Sequence, residues 1–164
     1  MKLYSKKVLE HFKNPHNFGR MKKPDGVGKV GNILCGDIMH IYIKVGKDKK
    51  GREIIKDIKF ETFGCVAALA TSSVITDLAK GKILKKALKI DKKKVIKSLG
   101  GLPVIKIHCS VLATGALSEA IYDYLSKAKK KISKDLQLEH ERIEKGLKII
   151  KKRYKRYKEL EKKI

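Results

Sequence analysis

Residues 102–113 of the chain read Leu-Pro-Val-Ile-Lys-Ile-His-Cys-Ser-Val-Leu-Ala. The predicted secondary structure changes from extended to helical within this stretch. Its first half, residues 102–107, is rich in β-branched residues and predicts an extended segment. The apolar spacing from Ser110 onward predicts an amphipathic helix. His108 and Cys109 lie at the junction. We therefore expect an imidazole and a thiol side by side where an extended run meets a helix.

The other two cysteines, Cys35 and Cys65, have similar settings, each beside a glycine at the end of an apolar run. Successive cysteines are 30 and 44 residues apart, which excludes the short cysteine pairs of a zinc knuckle. Thiolates are the soft ligands that zinc and iron–sulfur clusters select. Three thiols from three loops therefore predict one metal site, with Asp37 or His108 as the fourth ligand.

Other interpretations of these residues stay open from the sequence alone. Each cysteine by itself fits a buried core residue, because cysteine is among the most buried residue types. Cys109 lies near Lys106 at the predicted start of a helix, which predicts a lowered thiol pKa and suits a sulfur acceptor or a thiol enzyme. His108 is a poor base for its neighbour, since adjacent residues of an extended chain point to opposite sides.

Composition limits the class of protein. A chain of 164 residues is long enough for one domain with a real core. The odd count of three cysteines excludes a closed disulfide framework. We expect no membrane span, because no apolar run reaches about 18 residues. The N-terminus lacks the apolar block of a secretory signal, so the expected location is cytoplasmic.

The formal charge of +24 raises the alternative of a basic module with a structural zinc site that binds nucleic acid. The basic residues are overwhelmingly lysine and spread along the chain, and the arginines that read bases are scarce. Nucleic acid is therefore not the expected partner.

The pattern of apolar residues predicts a mixture of helices and strands. The predicted elements are a helix over 3–12 that ends at Asn14-Pro15, strands over 28–34, 38–46 and 54–63, a buried helix over 66–79, and short helices over 83–89 and 91–98. The last two strands form a hairpin, and the first pairs with strand 38–46. The match of residues 26–31 to GxGxxG is not a nucleotide site, because a strand rather than a helix follows it.

The sequence after Ser126 changes to lysine, glutamate and periodic apolar residues. Residues 127–164 carry 16 basic and 6 acidic side chains. A heptad stripe runs through them, made of Leu136, His140, Ile143, Leu147, Ile150, Tyr154, Tyr157 and Ile164. Residues 1–126 are thus predicted to form one domain and 127–164 a basic helical extension, which either folds back on that domain or binds a partner.

Four stretches resemble, in order, the motifs of the IscU/NifU-type iron–sulfur cluster assembly scaffolds. They are 4–19 (Tyr-Ser-Lys-Lys-Val-Leu-Glu-His-Phe-Lys-Asn-Pro-His-Asn-Phe-Gly), 35–39 (Cys-Gly-Asp-Ile-Met), 62–65 (Thr-Phe-Gly-Cys) and 106–113 (Lys-Ile-His-Cys-Ser-Val-Leu-Ala). The resemblance implies an α+β fold, in which helices pack on one face of a small three-stranded antiparallel sheet. To this the sequence adds the C-terminal amphipathic helix.

The resemblance also implies a function. A [2Fe–2S] cluster would be assembled on Cys35, Cys65 and Cys109, with Asp37 and His108 as alternate ligands, and passed to apo-proteins. A cysteine desulfurase would deliver sulfur to Cys109, which Lys106 tunes, and Zn²⁺ would occupy the site of the apo form. Such a scaffold performs no turnover chemistry. Tyr4 matches a tyrosine associated with dimer formation, so a homodimer through Tyr4 and the C-terminal helix is expected.

One motif departs from the family. Its chaperone-recognition segment reads Leu-Pro-Pro-Val-Lys, whereas residues 102–106 of this chain are Leu-Pro-Val-Ile-Lys. The missing second proline removes part of a pre-formed extended segment, which leaves dependence on an Hsp70-type chaperone open.

Overall fold

The computed structural model describes residues 3–32 and 35–161, with side chains as far as residue 155. The elements are α1 (Lys6–Lys13), β1 (Gly26–Gly31), β2 (Ile38–Lys47), β3 (Glu53–Phe63), α2 (Val66–Ala79), α3 (Leu84–Ala87), α4 (Lys92–Ser98), a 3₁₀ turn (Val104–Lys106), α5 (Ile107–Lys127) and α6 (Lys134–Glu161). The three strands form one antiparallel sheet in the order β1-β2-β3. The predicted α+β fold is confirmed.

The hairpin of β2 and β3 supplies the sheet side of the core. Alternate residues of β2, namely Met39, Ile41 and Ile43, are completely buried, as their period of two predicts. Ile41 lies opposite Phe60 and Ile43 opposite Ile58 on β3. Each such side chain contributes about 1.5–3 kcal/mol through burial, so the register of this hairpin is strongly determined.

β1 packs closely on α5 because two of its glycines have no side chain. A Cβ atom on Gly28 would lie 1.9 Å from the carbonyl oxygen of Ala116, and one on Gly26 would lie 2.2 Å from that of Ala120. The glycines of the GxGxxG match thus serve helix–strand contact, in agreement with the rejection of a nucleotide site. The strand predicted over 28–34 is observed over Gly26–Gly31, and residues 33 and 34 lie outside the described residues.

The prediction that residues 102–107 are extended is wrong. Val104–Lys106 form a 3₁₀ turn, closed by the Lys106 N–H donating to the Pro103 carbonyl at 2.8 Å, and α5 begins at Ile107 rather than Ser110. No strand of the described sheet pairs with this segment, so its β-branched residues have no ladder to join. His108 and Cys109 therefore belong to the first turn of a helix.

The remaining helices agree with the predictions apart from their ends. α1 starts three residues later than predicted because Ser5 caps it, its hydroxyl accepting from the Val8 N–H at 3.1 Å. Asp91 caps α4 as predicted by accepting from the Lys94 N–H. α2 is buried along most of its length.

The stretch from Val104 to Lys127 is long and apolar enough to cross a membrane by length and composition alone. In the structure it is the central helix of the domain. It packs on β1, β2 and α2, and Ala113, Ala116 and Ala120 along it are completely buried. A core helix of this kind meets the same criteria as a span.

α6 folds back along α5 and β1. Leu136 is buried, and His140 stacks on Tyr122 with ring centroids 3.8 Å apart. The His140 Nδ1 also lies 3.0 Å from both carboxylate oxygens of Glu119, whose pKa is raised by burial. The heptad stripe from Leu136 to Ile150 thus contacts the chain's own domain, which is the first of its two predicted roles. The side chains of Tyr157 and Ile164 lie outside the described residues.

The contact between β1 and α5 gives a direct test of the fold. Gly28→Ala should lower the free energy of unfolding by about 2–3 kcal/mol, because its methyl group overlaps the backbone of α5. Gly146→Ala is the matched control, since that glycine of α6 has open space around its Cβ position and alanine favours a helix by up to about 1 kcal/mol. Chemical denaturation measures both, and equal stability of the two variants would contradict this packing.

Candidate metal centre

The three cysteines come together although 74 residues separate the first from the last. Cys35 follows β1 in the loop to β2, Cys65 is the N-cap of α2, and Cys109 lies in the first turn of α5. Cys35 is exposed, Cys65 is half-buried and Cys109 is buried. Two of the three sulfurs therefore lie at helix N-termini, where the helix dipole favours a negative charge.

Ligand-type side chains form two triads that share Asp37. Cys35, Asp37 and His108 make one, and Asp37, Cys65 and Cys109 make the other, with one ligand atom of each residue within 4.8 Å of those of its partners. All five residues that the sequence singled out for a metal site are thus brought together. Asp37, which is only 7% exposed, is the common member.

The distances in the second triad suit a tetrahedral metal ion. The Sγ atoms of Cys65 and Cys109 are 3.8 Å apart. Two thiolates bound to one tetrahedral ion at about 2.3 Å lie about 3.8 Å from each other. The Asp37 Oδ2 is 4.0 Å from the Cys109 Sγ, a few tenths of an ångström longer than the roughly 3.6 Å of a shared tetrahedral ion. A small shift of the carboxylate completes three positions.

Gly64 makes room for the Asp37 carboxylate. A Cβ atom at this position would lie 2.9 Å from the Asp37 Cγ and 2.9 Å from the Cβ of Ala68. Real Cβ atoms do not approach so closely, so any larger residue must displace the carboxylate or the first turn of α2. The Thr-Phe-Gly-Cys motif therefore has a physical reason for the glycine before Cys65.

His108 supplies a second sign that the centre takes a ligand. Its Nε2 is buried and has no hydrogen-bond partner among the residues that the structure describes. An unpaired buried nitrogen costs about 1–3 kcal/mol. A metal ion bound by the imidazole or beside it offsets that cost, as it does for the buried carboxylate of Asp37.

The expected lowering of the Cys109 pKa is wrong. Complete burial raises the pKa of this thiol, and the charges of Cys65 and Asp37 raise it further. A helix N-terminus contributes about 0.3–1 kcal/mol, which is too little to offset the desolvation of a buried thiolate. Partial desolvation also raises the pKa of Cys35. Without a metal the raised pKa values of Cys109 and Cys35 therefore favour their protonated thiols, and metal binding would release these protons.

The strongest electrostatic interaction of Lys106 is with Cys65 rather than with Cys109, which is closer to it in sequence. The negative charge of Cys65 raises the pKa of Lys106, with smaller contributions from Tyr4 and Cys109. Tyr4 itself is half-buried against the small apolar cluster of Ala67, Ala68 and Cys109. It thus packs within its own chain beside the centre.

Sequence reasoning missed a histidine cluster between α1 and α2. His11, His16 and Asp77 have ligand-type atoms within 4.8 Å of one another. His11 Nδ1 lies 2.8 Å from the Ser73 hydroxyl and His16 Nδ1 2.6 Å from an Asp77 oxygen. Burial and the nearby His16 lower the pKa of His11. These contacts form a network that joins the two helices, and no sequence signal links Asp77 to histidines some 60 residues away.

The close approach at Gly64 predicts a loss of metal affinity. Gly64→Ala should weaken Co²⁺ binding at least about tenfold, since outer contacts that orient a ligand are worth about 10–100-fold in affinity. The same change in an Asp37→Ala background should weaken binding much less, because only the contact with Ala68 then remains. Competition with a chelator, followed by thiolate-to-cobalt absorption, measures both, with Gly146→Ala as control. Additive losses in the double variant would contradict a role through Asp37.

Comparison with known proteins places this geometry in a family. The model of the NifU-like N terminal domain matches residues 3–131. The chain is 54% identical over 147 residues to an iron-sulfur cluster assembly scaffold protein IscU of Archaeoglobus fulgidus, which covers 88% of this chain and 93% of that protein. It is 47% identical over 131 residues to the IscU scaffold protein of Rickettsia prowazekii, covering 78% of this chain and 96% of the relative.

The fold is found in solved structures as well. A nitrogen-fixing NifU-like protein (N-terminal) from Brucella abortus superposes with a TM-score of 0.58 at 22% identity, over 76% of this chain and 96% of that one. At this identity the likeness concerns the fold alone. The matched domain, the sequence relatives and the fold all agree: the chain belongs to the NifU-like N-terminal domain family.

Proposed function

We propose that this protein is a scaffold on which a [2Fe–2S] cluster is assembled from iron and desulfurase-delivered sulfur and then passed to apo-proteins. The observation that carries the proposal is the convergence of three thiols, from three separate junctions of the fold, around the buried Asp37. Relatives named as iron-sulfur cluster assembly scaffolds support it.

The division of the ligands favours two irons rather than one. In a [2Fe–2S] cluster each iron takes two protein ligands. Cys65 and Cys109 form a pair with sulfurs 3.8 Å apart, and Cys35 and His108 form the other triad with Asp37. Each pair can hold one iron. Asp37 lies within reach of both and can replace a ligand on either.

The mixture of thiolate, carboxylate and imidazole ligands suits a cluster that must later be released to an acceptor protein. Thiolates bind iron and zinc strongly, whereas a carboxylate is a harder ligand and an imidazole nitrogen lies between the two. An exchange between His108 and Asp37 lets one iron change its ligand without losing coordination. Zn²⁺ would bind Cys65, Cys109 and Asp37 when iron is absent, as their tetrahedral spacing favours, and Cys35 would complete the four ligands.

Cys109 is the proposed acceptor of sulfur. Its thiolate attacks the outer sulfur of a persulfide on the desulfurase, so that a new S–S bond forms on Cys109 and the desulfurase cysteine leaves as a thiolate. Burial protects this thiol in the described conformation, so transfer requires the first turn of α5 to move outward. The flanking Val104 and Ile105 are 83% and 74% exposed, which gives that segment few packing contacts to break. Lys106 then provides a positive charge for the incoming persulfide.

These steps load and unload the chain without catalytic turnover. The partners are a cysteine desulfurase and apo acceptor proteins, and we propose a cytoplasmic location. The same burial of Cys109 and its raised pKa count against a thiol enzyme. A homodimer through Tyr4 and the C-terminal helix stays a proposal.

Anaerobic reconstitution tests the function. Wild-type protein given Fe²⁺ and sulfide should acquire visible absorption of a [2Fe–2S] cluster. Cys35→Ser, Cys65→Ser and Cys109→Ser should each lose it, because a serine hydroxyl is a poor ligand for iron at neutral pH. His108→Ala should shorten the lifetime of the cluster, whereas the matched His40→Ala, on the outer face of β2, should not.

The proposal fails if wild-type protein retains neither a cluster nor zinc. Zinc retention without any cluster, together with salt-sensitive binding of duplex DNA, would instead favour the basic module with a structural metal.

A further inference from the structure

α6 lies outside the matched family domain, which ends at residue 131, yet it reaches the metal centre. The Archaeoglobus relative matches over 147 residues, so part of this extension is shared. Two turns of α6, around Leu147 and Ile150, face the end of β1. The loop that carries Cys35 and Asp37 starts there.

Gly31, the last residue of β1, is held between α6 and the Asp37 backbone. A Cβ atom built on Gly31 would lie 2.7 Å from the Cδ1 of Ile150, 3.5 Å from the Cδ2 of Leu147 and 3.6 Å from the Asp37 carbonyl oxygen. The side chain of Ile150 thus fills the space in which other residues carry their Cβ. A movement of α6 at Ile150 would therefore displace Gly31.

The loop beyond Gly31 is closed by hydrogen bonds between its two ends. The Asn32 N–H donates to the Asp37 carbonyl and the Gly36 N–H donates to the Asn32 carbonyl, both at 2.9 Å. The Cys35 N–H also donates to the Asn32 side-chain oxygen at 3.4 Å. Fixing Gly31 and Asn32 therefore fixes the residues that present the Cys35 sulfur and the Asp37 carboxylate.

α6 also forms one wall beside His108. A cavity of about 420 Å³ lies between α5 and α6, lined by His108, Gly115, Arg142 and Gly146 among others, with Asn32 at its edge. Gly115 on α5 packs against Ile143 of α6, and a Cβ atom added at Gly115 would lie 3.4 Å from the Ile143 Cδ1. α6 thus borders both the His108 imidazole and the loop that carries Cys35 and Asp37.

The N-terminal half of α6 is anchored well away from the centre. Leu136 is buried, and the His140 ring is held by Tyr122 and Glu119. The Tyr122 hydroxyl donates to the Gln137 side-chain oxygen at 3.1 Å. Because its first two turns are fixed in this way, α6 holds Ile150 in a defined position.

We propose that α6 is a positioning element of the metal centre. Ile150 and Leu147 contact Gly31 and, through the backbone bonds of Asn32, hold Cys35 and Asp37 close to His108. This proposal rests on the proposed function, since it assumes that these residues bind a metal. Without α6 pressing there, metal or cluster should leave the centre faster.

Complementary changes in volume test the contact. Gly31→Ala adds a methyl group against the Ile150 Cδ1, and Ile150→Val removes that same atom. Gly31→Ala should speed the loss of Co²⁺ to a chelator about tenfold and alter the visible bands of bound Co²⁺, because misplaced outer contacts cost about 10–100-fold. Adding Ile150→Val should restore the rate to within about twofold of wild type.

Ile149→Val is the matched control, because Ile149 is 47% exposed and is not among the side chains that contact the Gly31 position. Combined with Gly31→Ala it should restore nothing. A merely structural contact would change thermal stability without changing the Co²⁺ spectrum.

Three results would overturn the proposal. They are a wild-type rate of Co²⁺ loss in Gly31→Ala, rescue by Ile149→Val as large as that by Ile150→Val, and an unchanged Co²⁺ spectrum in Gly31→Ala. If Gly31→Ala does not fold, Ile150→Ala is compared with Ile149→Ala in its place, with severalfold faster loss expected only for Ile150→Ala and equal rates overturning the proposal. Wild-type protein that binds no Co²⁺ would instead contradict the metal centre itself. The failure of the proposed function is thus distinguishable from the failure of the proposal about α6.

Discussion

The close approach of β1 to α5 is the contact on which the rest of the structure depends. Gly26 and Gly28 let the strand backbone rest against the carbonyls of Ala120 and Ala116, with no side chain between. This fixes α5 along the sheet, and with it the first turn that carries His108 and Cys109. The same strand ends at Gly31 and leads to Cys35 and Asp37. One backbone contact thus sets the distance between two sides of the centre.

Electrostatics then explains why a metal belongs at that place. Asp37 is a buried carboxylate, and Cys109 is a buried thiol whose pKa burial raises. Burial makes the Cys109 thiolate costly to form in the absence of a cation. A bound metal ion would supply the missing positive charge, and Cys35 and Cys109 would then lose their protons to water. Metal binding and deprotonation are therefore one coupled event, and the affinity of the centre rises with pH.

Much of this could be predicted from the sequence, for identifiable reasons. The alternation of Met39, Ile41 and Ile43 predicts the buried face of β2, and three motifs with cysteines predict the members of the centre. Residues 104–106 misled prediction, because β-branched residues favour a strand only where a neighbouring strand is available. The Cys109 pKa was missed because burial is a property of the packed core. The contact of Ile150 with Gly31 joins residues 119 positions apart, which no local pattern reveals.

The coordination of the bound metal is the most direct test of the whole account. X-ray absorption at the zinc edge of the zinc-loaded wild-type protein should give three sulfur ligands at about 2.3 Å and one nitrogen or oxygen ligand at about 2.0–2.2 Å. That result requires all three cysteines, from three separate junctions of the fold, to meet on one ion with Asp37 or His108. Zinc bound by one sulfur or none would contradict the account.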